Sequence, residues 1–121
     1  MIRHDGELVQ DTFSDDQSLV IDVKDKGLVV ISGCAHSGII NSVSYARELT
    51  GQRDVCAVLG GFHLSGPAMS PAVAPTIAEL KKMSPRLICP MHCTGFGTIA
   101  RIAGEMPQAF VLNSAGTRIT I

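Results

Sequence analysis

No apolar run in this sequence approaches the roughly 20 residues that a membrane helix needs, and its opening decapeptide, MIRHDGELVQ, lacks the hydrophobic region of a secretory signal. Both absences lead to the expectation of a cytoplasmic protein. An excess of charge of either sign is also missing: ten Lys and Arg stand against eleven Asp and Glu, the formal net charge is −1, and the basic residues are scattered. Neither nucleic acid nor an anionic membrane is therefore expected as a partner. Cysteine pairs at C-x-x-C spacing do not occur. Cys34, Cys56, Cys89 and Cys93 fall singly, and Cys56 and Cys89 lie in apolar, strand-like runs where Cys behaves as a small hydrophobe. A disulfide framework, a zinc ribbon and a dithiol redox motif are all disfavoured. There is no G-x-S-x-G elbow and no Ser placed after a strand with a His and an acid in view, so a nucleophilic triad is not expected.

What is present suits one small α/β domain of 121 residues. Only 17% of residues are charged and the mean hydropathy is +0.27, apolar for so short a chain. Some hydrophobic face is thus expected to be covered by another subunit or by a further segment. Leu28 to Ile31 reads as a buried strand. After Gly33, residues Ile39, Ile40, Val43, Ala46 and Leu49 recur at helical spacing, with Ser37 placed as N-cap and Gly51 as C-cap. His36 therefore sits between a strand's carboxyl end and a helix's amino end, the place where ligands bind in open α/β sheets.

Taken in order, Met1 to Ser14 is a polar tail or an arriving strand. Ser18 to Val23 and Leu28 to Ile31 read as a hairpin. Val55 to Leu59 and Leu87 to Met91 are further strands. A helix is expected with Pro75 in its first turn and Pro85 as its stop, and another, capped by Thr94, places Phe96, Ile99, Ile102, Ala103 and Met106 on one face before Pro107. Ala109 to Asn113 and Thr117 to Ile121 are expected to close the chain as a hairpin around Ser114 to Gly116.

The same unit, strand, glycine or proline, His, helix, occurs around His36, His63 and His92, which lie 27 and 29 residues apart. That is close to the roughly 30 residues of a βαβ unit, so in a parallel sheet all three histidines emerge at one edge. Imidazole is the commonest neutral ligand for zinc and iron, and three of them can hold an ion that keeps a position open for water. Any one alone reads better as a hydrogen-bonded loop residue; it is the recurrence that favours a metal site. His4 reads as a surface residue. Cys34 and Cys93 either join the ligands or pack behind them. Thr94, Gly95 and Gly61, with Gly60 and Gly97, either cradle an anion at helix amino ends or serve only as turn and cap residues. Asp15 and Asp16 read as a solvated loop in preference to a general acid or base.

At SGCAHSGIIN, LGGFHL and MHCTG the chain resembles the carboxyl-terminal half of a metallo-β-lactamase-fold hydrolase, in the branch of the methanopterin-pathway dihydropterin-phosphate synthase. Similarity runs from about Asp11 to Ile121 and includes DDQSLVI. The resemblance implies half of a four-layer αββα sandwich spanning residues 15–121, with a mixed sheet, three βα units and the closing hairpin. It also implies a site for one or two divalent metals, zinc first and iron or manganese as alternatives, and hydrolytic chemistry, often on phosphoesters. By motif position His36 and His92 would be ligands, and His63 a ligand or a catalytic residue that meets substrate. The H-x-H-x-D-H motif of the family's other half has no counterpart, nor does the acid that often bridges two metals. The expectation is a hydrolase half-domain completed by an amino-terminal half or by a second copy in a homodimer. The alternative is a non-catalytic dimerising scaffold or small-anion-binding fragment.

Overall fold

The computed structural model describes residues 1–121. Asp5 and Gly6 both take positive φ, 50° and 88°, the geometry of a two-residue hairpin turn. They pair β1 (Ile2–His4) with β2 (Glu7–Val9) in a small antiparallel ribbon, separate from the main sheet. The expected tail is thus a hairpin of its own, and every residue in its two strands is exposed.

The main sheet has the order β3 (Ser18–Val23), β4 (Gly27–Ser32), β5 (Val55–Gly61), β6 (Leu87–Met91). The first pair is an antiparallel hairpin, and β4, β5 and β6 are parallel. Each parallel strand feeds a helix: α1 (Ile39–Thr50), α2 (Ser70–Met83) and α3 (Phe96–Glu105). The result is the expected mixed α/β half-sandwich with three βα units. No helix is long and apolar enough to cross a membrane.

Strand alternation divides the apolar residues between two faces. Leu28, Val30, Val58 and Ile88 join Ile39, Val43 and Ala46 of α1, Ile77 and Leu80 of α2 and Ile102 of α3 in one core. The alternate positions Val29 and Ala57, with Val23, Leu59 and Leu87, belong to a smaller cluster that contains no helix residue. All three helices therefore cover one face.

Several local expectations are corrected. Ser37 does not cap α1; Gly38 is the N-cap, and the Ser37 carbonyl instead accepts from the Asn41 side chain at 2.6 Å. Gly51 does end α1, at φ 72° with its N–H on the Arg47 carbonyl. Helix α2 starts at Ser70 with Pro71 in its first turn, which leaves Pro75 inside the helix. Proline is tolerated near a helix start because the first N–H groups have no intrahelical acceptor. The C-terminal hairpin is also absent. Residues 109–111 run parallel to β6 through one bridge, Ile88 with Phe110, and Ser114 to Thr117 form a turn, but Thr117 to Ile121 pairs with no strand. Ala109 and Phe110 still pack against the core, but residues 112–118 are exposed, and two strands without an apolar surface to lie on do not hold a ladder.

Candidate metal centre

Three loops leave the same edge of the sheet because β4, β5 and β6 are parallel. The loop after β4 carries Cys34 and His36, that after β5 carries His63, and that after β6 carries His92 and Cys93. Ala35, His63 and His92 all have positive φ, at 54°, 49° and 51°. Each such residue stores about 1–3 kcal/mol, which persists only where the surroundings over-determine the backbone, and such strain gathers at functional sites.

Two hydroxyls supply that constraint. Ser32 Oγ donates to the Gly61 carbonyl at 2.7 Å, tying the end of β4 to the end of β5. Thr94 Oγ1 donates to the Met91 carbonyl at 2.7 Å and accepts from the Phe62 N–H at 3.1 Å, tying the third loop to the second. The glycines let the strands close up: a Cβ on Gly60 would lie 2.0 Å from the Ser32 carbonyl oxygen, and one on Gly61 would lie 2.6 Å from that of Gly33 and 2.7 Å from Cys93 Sγ.

The histidines fall into two groups. The rings of His36 and His63 lie 4.3 Å apart at a tilt of 48°, and Phe13 stacks on His36 at 4.2 Å, nearly parallel. Nδ1 of His36 and Nδ1 of His63 are both buried without a hydrogen-bond partner. His92 stands with the cysteines instead: its Nδ1 is 3.5 Å from Cys34 Sγ, and the donor atoms of Cys34, His92 and Cys93 all lie within 4.8 Å of one another. Cys93 Sγ also donates to the Cys34 carbonyl at 3.4 Å. The two thiols are therefore grouped with a histidine at the site edge.

A cavity of about 180 Å³ is lined by His36, His63, Ile39, Phe62 and Met69. A groove of about 410 Å³ is lined by Asp11, Phe13, Asp15, Asp16, Cys34 and His36 among others, and none of its lining residues is Lys or Arg. Burial first, then the Cys93 thiol and the Asp16 charge, push the Cys34 thiol above its ordinary pKa. The groove favours a cation.

Of the expected anion-binding residues, Thr94 is fully buried and its single hydroxyl proton is committed to Met91. Gly61 serves strand closure, and Gly95 is the N-cap of α3 in place of Thr94. Sequence reasoning missed Phe13 and set Asp16 aside as a solvated loop residue. Nothing in local spacing marks either, because they arrive from the segment before β3. The residues present fit a transition-metal ion: imidazole and thiolate are the ligands zinc and iron take, beside carboxylates with no basic neighbour in the groove. Orphaned buried ring nitrogens are also what an uncoordinated ligand set leaves behind.

No protein-family model matches the chain. Among curated proteins it is 39% identical over 111 residues to the 7,8-dihydropterin-6-methyl-4-(beta-D-ribofuranosyl)-aminobenzene-5'-phosphate synthase of Methanocaldococcus jannaschii, a match covering 92% of this chain and 37% of that protein. It is 40% identical over 99 residues to an uncharacterized protein of the same organism, covering 82% of this chain and 35% of that one. Among solved structures it is similar to a metal-dependent hydrolase of the beta-lactamase superfamily, with a TM-score of 0.83 and 30% identity over 98% of this chain and 45% of that chain. The chain spans little more than a third of the length of the curated relatives it matches.

Proposed function

We propose that this chain, which carries half of a metallo-β-lactamase fold, is the metal-binding half of a hydrolase acting on a phosphorylated small molecule. The observation that carries this reading is the pair of buried, unpartnered Nδ1 atoms on His36 and His63 at the sheet edge that also presents His92. His36, His63 and His92 are the candidate ligands, with His63 also the group that meets substrate. A divalent ion, when bound, supplies an acidified water and polarises a phosphoryl or carbonyl oxygen. The chain's own part is orientation: Phe13 fixes the plane of His36 by stacking, and Ser32 and Thr94 hold the three loops in register.

Support for a phosphorylated substrate comes from one relative, which is named a 5'-phosphate synthase. The carboxylates of Asp11, Asp15 and Asp16 oppose an anion in that groove unless a cation is there to offset them. Phosphate-ester binding is therefore expected to require the metal. Full turnover is expected to need an amino-terminal half that supplies further ligands, or a second copy of this chain.

The test is hydrolysis of p-nitrophenyl phosphate and its bis-ester by the chain after chelation and after reloading with zinc, iron or manganese. Metal-stimulated turnover that falls at least tenfold in His63→Ala supports the hydrolase. Stoichiometric metal with no turnover, alone or with an amino-terminal half added, would favour the non-catalytic scaffold. Failure to bind any of the three metals would refute the metal-binding reading itself.

A further inference from the structure

We infer that Cys34, His92 and Cys93 form a soft three-donor site that takes a thiophilic divalent ion, zinc foremost, through two thiolates and one imidazole nitrogen. The inference rests on the reading that this loop edge binds a metal, and it names a different donor set, which shares only His92 with the three histidines.

Distances carry it. A tetrahedral zinc with bonds of about 2.3 Å to sulfur and about 2.0 Å to nitrogen sets neighbouring sulfur and nitrogen ligands roughly 3.5 Å apart, and two sulfurs a few tenths of an ångström further. Cys34 Sγ and His92 Nδ1 are 3.5 Å apart, and no pair among the three donors exceeds 4.8 Å. Closing the set on an ion needs shifts of about 1 Å or less. The pair His36 and His63, whose tilted rings lie 4.3 Å apart, is outside this set.

The loops pack closely around these thiols. Cys34 and Cys93 come from loops on either side of β5, and between them the middle strand ends in Gly61, where any side chain would strike Cys93 Sγ at 2.7 Å. The positive φ of His92 turns the chain so that two consecutive residues, His92 and Cys93, offer donors to one point. Thr94 then locks that turn through Met91 and Phe62.

Ligand chemistry sets the selectivity. Two thiolates and an imidazole suit zinc, cobalt(II) or cadmium and disfavour magnesium, calcium and manganese, which take oxygen donors. Loading displaces one proton from each thiol, so the ion gains two anionic ligands and up to two protons are released. Three protein donors leave one tetrahedral position for water, substrate or a residue from outside this chain.

The test uses the whole chain, chelator-treated and kept reduced with a phosphine, titrated with cobalt(II) alone. An intense near-ultraviolet thiolate-to-cobalt charge-transfer band at one ion per chain is expected, with zinc displacing the cobalt. Cys34→Ser and Cys93→Ser should each weaken the band and lower cobalt affinity at least tenfold, with far-ultraviolet circular dichroism unchanged. Cys56→Ser and Cys89→Ser should do neither. Stoichiometric cobalt without a charge-transfer band, or with a band lost only in the Cys56 or Cys89 variants, would overturn the thiolate site and leave the histidine-based hydrolase reading standing. Absence of cobalt binding would overturn the thiolate site, and the histidine-based reading would then be decided by reloading with zinc, iron or manganese. Should one serine variant fail to fold, the other decides.

Discussion

Thr94 shows how one hydroxyl can govern a site without touching a ligand. Its oxygen accepts from the Phe62 N–H in the second loop while its proton goes to the carbonyl of Met91 at the end of β6, and the side chain is fully buried. Thr94→Val keeps the shape but leaves the Phe62 N–H without that acceptor in a dry setting, which costs about 1–3 kcal/mol. We expect that loss in urea unfolding, together with weaker cobalt binding, because the strained His63 and His92 backbones lose their tie. Ser32→Ala removes one donor to a carbonyl that can be under-satisfied at less cost, so it should destabilise by about 1 kcal/mol. Equal and negligible losses in both variants would show that the loops are held by packing alone. This role was not legible in the sequence. Thr94 precedes a helix and reads as a cap, and only the approach of Phe62 shows where the hydroxyl goes. Cys34 and Cys93 were legible only as an open choice, because lying beside the histidines in sequence does not tell whether a thiol joins the ligands or packs behind them. The histidines were legible because their positions recur in register with the βα units.

At the scale of elements, the four strands of the main sheet were readable to within a residue or two because each carries an apolar run bounded by turn residues, whereas the short, exposed strands β1 and β2 carry no such run. Helix starts were not readable. In α1 and α3 glycines occupy the N-cap position, and α2 begins in a Pro-containing 3-10 turn, Pro67–Met69, that no periodicity announces. What joins helix to helix was equally hidden. Glu105, at the end of α3, accepts from Lys81 of α2 and, at 2.7 Å, from Arg101 within α3. These two hydrogen bonds, the Lys81 one first, hold its carboxyl below the ordinary 4.5. A depressed folded-state pKa means that the contact contributes stability above the unfolded value and loses it as pH falls through the lower folded one. The stability advantage of the parent over Glu105→Gln should therefore be present at about pH 6 and shrink below about pH 4.5. Urea midpoints at several pH values would check this; a pH-independent difference would mean that the carboxylate charge is not what joins α2 to α3. Such exposed pairs are screened, so salt should reduce the difference as well.

At the scale of the whole molecule, the one-sided placement of the helices leaves a sheet face with Leu19, Ile21 and Ile31 exposed at 58%, 43% and 38%. Register puts them together: Leu19 lies opposite Ile31, and Ile21 opposite Val29. In a sandwich such a face packs on a second sheet about 10 Å away. Four strands about 4.8 Å apart and six residues long at about 3.3 Å each cover roughly 400 Å², well under the roughly 800 Å² per partner of a standard stable interface. A homodimer through this face alone is thus expected to be weak and concentration-dependent. A complementary half that also closes over the three loops would bury more and bind more tightly. Sedimentation of the chain at rising concentration should show reversible association. Ile21→Lys, which sets a charge in the middle of the bare face, should abolish it, whereas Tyr45→Lys, at an exposed position of α1, should not. Association that survives Ile21→Lys would place the contact elsewhere. A parent chain that stays monomeric throughout would remove the second copy as a substitute for the other half.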